Sequence, residues 1–264
     1  MRYLVFKRTA LVGFTCVIAL CILLSLPLGE NAISAVFFGD SLRKVPIYCV
    51  DTTERKVAIS FDAAWGADKT EKIMDILDEY KVRATFFLVG FWAEKYSDIV
   101  RSIDSRGYEI GTHSNTHPDL SKMSAEQVKL ELSQSIEKID KACSNVNVKL
   151  FRPPFGAYNN TVIDTAESLG LTTIQWSVDS LDWKGESGSE IVNRVLSKVG
   201  CGSIILCHNN ADHILDALPP LLERLKMQNY SVVSVGDLIY SDNYTIDRAG
   251  VQHKLEGTVE KNEF

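Results

Sequence analysis

The chain has no Cys-x-x-Cys pair, no His-Glu-x-x-His motif, no internal repeat and no surplus of positive charge. Each absence removes a class. Two of the six cysteines, Cys16 and Cys21, lie in an apolar run, and Cys49, Cys143, Cys201 and Cys207 are scattered. That spacing excludes a zinc ribbon or a dithiol redox motif and leaves small apolar fillers as the reading of the four. Outside the cell some could pair, but spacing names no partners. Without His-Glu-x-x-His, and with Pro118 directly after His117, a zinc-peptidase helix is excluded. Without a repeat the chain is no solenoid. A net charge of −6 argues against a nucleic-acid partner, which would call for a basic face.

What is present begins with hydrophobicity. Residues 9–28 carry no charged side chain, and Arg2, Lys7 and Arg8 precede them. A run of about twenty such residues matches the hydrocarbon core of a bilayer. A cleaved signal has a shorter apolar region, of roughly 7–15 residues. Small residues at Ala32, Ser34 and Ala35 keep cleavage open as the alternative. Positive charge on the N-terminal side sends the rest of the chain outside the cytoplasm. The expected plan is a signal anchor or transmembrane segment at 1–29, a juxtamembrane linker at 30–50, one folded domain at 51–243 and a loose polar tail at 244–264. The expected location is the cell membrane, single-pass, with the domain exported, or secreted if the signal is removed.

Within the domain, strand and helix patterns alternate. Short apolar strands are expected at 56–62, 84–89, 108–112, 148–151, 172–178, 203–207 and 231–235. Helices are expected at 69–80, 92–105, a long stretch after Ser124, 161–169, 189–199 and 218–228. Asp68 with Glu71 and Ser124 with Gln127 have capping-box spacing. Gly170 stops one helix, and Pro219 and Pro220 are placed in the first turn of another. About seven such units imply an α/β fold, with parallel strands wrapped by helices in a closed or nearly closed β/α barrel.

Asp62, His113, His117, Arg152, Asp182 and His208 all fall at or just after predicted strand ends. In a parallel barrel those ends share one rim, where active sites are built. Four residues separate His113 from His117, a spacing that brings both imidazoles to one side of a turn, near enough to share a divalent metal such as zinc or cobalt. Such an ion polarises a carbonyl and acidifies water. Asp62 is then the candidate general base, with Arg152 keeping it ionised. His208 is the candidate general acid, with Asp182 keeping it protonated. The prolines after Arg152 stiffen a loop from which the backbone N–H of Phe155 can face an oxyanion. Trp183 offers an apolar wall to a sugar or an acetyl methyl. These parts describe metal-assisted hydrolysis of an amide or ester.

Five segments, in order, resemble the motifs of the polysaccharide deacetylases, the NodB-homology domain of carbohydrate esterase family 4. They are Ser60-Phe61-Asp62, His113-Ser114-x-x-His117, Arg152-x-Pro154-Phe155-Gly156, Asp179-x-x-Asp182-Trp183 and Leu206-x-His208. The resemblance implies a distorted (β/α) barrel and removal of acetyl groups from aminosugar polymers such as peptidoglycan or chitin. It implies Asp62 as base, Arg152 as its partner, His113 and His117 as metal ligands, and Asp182–His208 as the acid pair. The stretch from Phe61 to Gly66 is similar to a branch found in spore-forming bacteria and associated with sporulation. One departure stands out. The family's first motif has a second aspartate that binds the metal, and here that position is Ala63. Two readings follow: a metal-dependent deacetylase with a weakened site, or a catalytically silent glycan-binding protein. Asp68, five residues on, is the substitute ligand to consider, against its reading as a helix cap.

Overall fold

The computed structural model describes residues 43–143 and 146–255, so the apolar run at 9–28 and its anchoring role lie outside the described residues. Among the described residues no helix is long and apolar enough to cross a membrane.

The longest strand, β2 (Lys56–Ala63), organises the sheet; before it comes the two-residue strand β1 (Cys49–Val50). Beyond β2 run β3 (Thr85–Leu88), β4 (Glu109–Thr112), β5 (Leu150–Phe151), β6 (Thr172–Thr173), β7 (Val178–Asp179), β8 (Ile204–His208) and β9 (Ser231–Val233). The main sheet has the order β6-β5-β4-β3-β2-β8-β7, and all its pairs are parallel. β9 pairs with the first residues of β2 and β3 with its last four, so the long strand serves two partners in succession.

β6 and β7 are the two edges of this sheet, yet only four residues separate them in sequence. The single strand expected at 172–178 is therefore split. Residues 174–177 cross from one edge to the other and carry the sheet round into a distorted, incompletely bonded barrel. Ile47 stitches the gap: its N–H donates to the Thr173 carbonyl at 3.0 Å and its carbonyl accepts from Gln175 at 2.7 Å.

Alternation along β2 sorts its side chains between two cores. Val57, Ile59, Phe61 and Ala63 join the larger core between sheet and helices. Ala58 joins the smaller one, with Phe87, Leu150, Ile174, Ile204 and Ile47, which fills the barrel. Asp62, in phase with Ala58, thus ends up on the inner face at the C-terminal rim.

The helices depart from expectation in three places. The helix expected at 92–105 is two, α2 (Gly90–Lys95) and α3 (Ser97–Ser105), broken at Tyr96, whose φ of −118° and ψ of 43° are not helical. The preceding helix, α1, spans Thr70–Glu79 with Lys69 at the N-cap position and no side-chain cap. Asp68 lies in the turn before it, exposed, so the capping-box spacing with Glu71 is not used. Pro219 and Pro220 sit inside a helix that starts earlier than expected, at Ile214, and runs to Met227. They lie in its second turn, where each lacks the N–H of a ladder bond. By contrast, the long helix α4 (Ala125–Cys143) begins with the expected box: Ser124 N–H donates to Gln127 Oε1 at 2.9 Å and Gln127 N–H to Ser124 Oγ at 3.4 Å. Gly170 follows its helix (Asn160–Ser168) with φ of 73°.

The polar tail expected from Tyr244 is ordered structure as far as Lys254. β10 (Tyr244–Ile246) and β11 (Val251–Lys254) pair antiparallel, and β11 pairs parallel with β1. The linker expected at 30–50 likewise enters the fold by its end, because Ile47 and Val50 are buried. Few apolar residues mark these strands; backbone pairing and the fully buried Gln252, which exchanges two hydrogen bonds with the Tyr240 backbone, hold them. Cys49, Cys143, Cys201 and Cys207 are free thiols, and two of them, Cys143 and Cys207, are buried fillers.

Candidate active site

The C-terminal rim of the sheet opens into a cavity of about 510 Å³ lined by Asp62, His113, His117, Phe155, Trp183 and His208, among others. Every residue expected to bind metal or substrate, and both acid–base candidates, line it. Arg152 and Asp182 stand directly behind.

Asp62 and His208 are in-register neighbours on the adjacent strands β2 and β8. Behind Asp62, the fully buried Arg152 donates from Nη1 to Oδ1 at 2.8 Å and from Nη2 to the Gln175 carbonyl at 3.0 Å. Its guanidinium stacks over Phe87 at 4.1 Å, which leaves the plane little freedom. Burial pushes the Asp62 carboxyl up, but the Arg152 charge, helped by His113 and His208, outweighs it and holds the group below the usual carboxylate range.

On the other strand, Asp182 accepts from the backbone N–H of His208 at 2.8 Å and pairs with its Nδ1 at 2.7 Å. The imidazole is thereby oriented with Nε2 as its free nitrogen. Burial disfavours the imidazolium, yet the Asp182 hydrogen bond and charge, with Asp62 and Asp179 behind them, raise His208 above its ordinary value. Leu181, just before Asp182, adopts φ of 54° to turn that carboxylate inward.

The histidine loop follows β4. His113 is buried, and its Nδ1 meets the Arg152 carbonyl at 2.7 Å. A carbonyl only accepts, so Nδ1 carries the proton and Nε2 presents a lone pair, 3.5 Å from Asp62 Oδ2. Burial, with the neighbouring His117 and Arg152 charges, lowers the His113 pKa to about 4 against the pull of Asp62. His117 is lowered too, again mainly by burial. The two rings lie 4.9 Å apart. Ser114 and His117 both have positive φ, 67° and 61°. Such backbone persists only where the surroundings impose it, and Glu131 of α4 does so. Its carboxylate accepts from the N–H groups of Asn115 and Thr116 at 2.9 Å each and from the Thr116 hydroxyl at 2.8 Å.

Two neutral imidazoles, one with its second nitrogen fixed by a carbonyl, are the donor set a divalent transition metal takes. His113 and His117 therefore fit as ligands. Beyond them the set is short. Among the described residues no group of three His, Cys, Asp or Glu side chains is arranged to hold an ion. Ala63 is fully buried in the apolar layer and does not line the cavity. Asp68 does not reach it either, so neither proposed role of Asp68 survives.

Several lining residues were not singled out from sequence: Trp65, Trp176, Asn209 and Asn210. Asn209, next to His208, ties that strand end to the loop after Asp62, donating to the Gly66 carbonyl and to Thr70 Oγ1, both at 3.0 Å. Each directly follows a motif or sits between two, which is the one signal that pointed to them. Phe155 takes φ of 59° and sets its ring edge-on to His117 at 4.6 Å.

A family model described as polysaccharide deacetylase matches residues 50–174. A protein of Bacillus subtilis described as uncharacterized protein YlxY is 35% identical over 200 residues; the match covers 76% of this chain and 62% of that one. A peptidoglycan-N-acetylglucosamine deacetylase of Bacillus cereus is 33% identical over 195 residues, covering 72% of this chain and 91% of that one. The solved structure of a BA3943 mutant, a CE4 family pseudoenzyme with restored enzymatic activity, is 32% identical with a TM-score of 0.71, covering 74% of this chain and 71% of that one.

Proposed function

The chain belongs to the polysaccharide deacetylase family, carbohydrate esterase family 4, and from that premise we propose that it hydrolyses acetyl groups from N-acetylated cell-wall glycan, peptidoglycan or a chitin-like polymer. The observation that carries this reading is the in-register pairing of Asp62 and His208 in one cavity, the first backed by a guanidinium and the second by a carboxylate.

Asp62, held ionised by Arg152, takes the proton of the water that attacks the acetyl carbonyl. His208 then gives its Nε2 proton to the amine nitrogen as the carbon–nitrogen bond breaks, while Asp182 stabilises the imidazolium beforehand and fixes its tautomer. The backbone N–H of Phe155 faces the oxyanion. Trp183 and Phe155 wall the acetyl and sugar. A divalent ion at His113 and His117 would add Lewis-acid polarisation of the carbonyl, and zinc or cobalt suits two imidazoles. We place the domain outside the cytoplasm, held at the membrane by residues 9–28, where cell-wall glycan is the accessible polymer. The similarity of residues 61–66 to a branch of spore formers suggests spore-wall glycan as one setting.

Acetate release from chitooligosaccharides and from peptidoglycan, with and without chelator, tests this. Release that chelation stops and zinc or cobalt restores is expected. Absence of release on both polymers under all metal conditions would overturn it and leave a glycan-binding role.

A further inference from the structure

Among the described residues three large aromatic side chains are strongly exposed, and all three stand on the rim of the same cavity: Trp65 at 61%, Phe155 at 71% and Trp183 at 58%. Exposed apolar surface gathered at one place marks a binding surface. Phe155 and Trp183 flank the reacting groups directly. Trp65 is different. It hangs from the loop after Asp62, leans on Phe91 at 5.3 Å and meets His117 edge-on at 6.1 Å. Among the described residues no acceptor pairs with its indole N–H, unlike that of the buried Trp92, which donates to the Gly66 carbonyl at 2.6 Å.

The loop beneath Trp65 is built to stay still. The Gly66 carbonyl accepts from Trp92 and also from Asn209 at 3.0 Å. Gly66 itself has φ of 61°, and a Cβ there would stand 2.8 Å from Asn210 Nδ2, so the turn requires glycine. Lys69 Nζ ties the following turn to the carbonyls of Asn210 and Ala211 at 3.2 and 2.9 Å. A rigid, half-supported indole with a free N–H is suited to stack on the C–H face of a pyranose and to hydrogen-bond a ring substituent. An aromatic body with a polar edge serves that purpose at low entropic cost.

We propose that Trp65 forms a sugar subsite beside the reacting centre, binding the residue next to the one being deacetylated. This rests on the deacetylase reading for the identity of the reaction, but not for the binding.

Binding and catalysis are therefore measured separately. In a D62N background, calorimetry with N-acetylchitotetraose is compared for Trp65, W65A and W65F; in the active protein, acetate release from the tetramer and from N-acetylglucosamine is compared for the same three. Because Trp65 is exposed, each variant should fold, and melting temperatures within a degree or two of the parent verify it. Expected for W65A is an affinity for the tetramer about tenfold weaker, with KM raised and kcat little changed, W65F lying between and the monomer unaffected. Unchanged tetramer affinity and KM in W65A would overturn the subsite, even with acetate release intact. If no variant releases acetate while tetramer affinity still falls in W65A, the subsite stands and the deacetylase reading fails.

Discussion

Two aspartates serve the site, Asp62 lining the cavity and Asp182 standing behind it, and they differ chiefly in their partners. Both are buried; Asp62 lies near the end of β2 in register with His208, and Asp182 opens a short 3-10 turn after β7 and pairs with the His208 ring. Asp62 faces a guanidinium, which never gives up a proton, so the pair remains an ion pair and the carboxylate is free to act as a base. Asp182 faces an imidazole, which does give up a proton, so the pair stores one for delivery. Burial alone would push the Asp62 carboxyl toward protonation, and the Arg152 charge reverses that. In the proposed mechanism, the choice of counter-group makes one half of the site a base and the other an acid.

The largest test removes the proposed base. Asp62→Asn should cut acetate release by about 10²–10⁴-fold. It also leaves Arg152 buried without its counter-charge, a loss of about 3–5 kcal/mol that a denaturant melt will show. Near wild-type turnover would assign the base elsewhere.

Next is the acid half. His208→Ala should slow turnover by about 10²-fold or more and flatten the alkaline limb of the rate profile. Asp182→Asn should keep an imidazole but lower its pKa, since the raising partner is gone. The alkaline limb then moves to lower pH, because the acid form is lost sooner as pH rises. A limb that stays in place in D182N would break the comparison drawn above.

A smaller effect concerns the histidine loop in chelator-treated protein. His113 binds a proton near pH 6.5 when unfolded and near 4 when folded. The unfolded state holds more protons in that window, so stability is complete above about 6.5, falls as pH drops toward 4 and levels off below. Thermal melts across this range should show a loss on the order of a few kcal/mol, and His113→Asn should flatten the slope. A melting temperature independent of pH between 4 and 6.5 would remove His113 from the account.

The smallest expected change is at Glu131. Replacing it with alanine withdraws three hydrogen bonds from the loop, about 1–2 kcal/mol after water takes their place. The melting temperature should fall by a few degrees, and zinc affinity should weaken because His117 loses its imposed backbone. Unaltered zinc titration would show the loop holds its shape unaided.

Sequence alone determined the alternation of elements, the rim on which the site is built, and the chemical types gathered there. Those rest on short-range facts: period-two and period-3.6 patterns, a carboxylate or imidazole at a strand end, and five motifs in order. Tertiary structure decided what depended on distant partners. The strand at 172–178 became two because barrel closure, which no local pattern encodes, needed its ends on opposite edges. Asp68 lost its cap because the turn tied down by Lys69 sets where α1 begins. The polar residues after Tyr244 became strands because β1, some two hundred residues earlier, supplied the backbone they pair with. The protonation states of the site were likewise settled by contacts across the sheet: Asp62 meets Arg152 from ninety residues away, and Asp182 meets His208 from twenty-six. A residue's type is written in the chain, but its charge at a given pH follows from what folding places beside it.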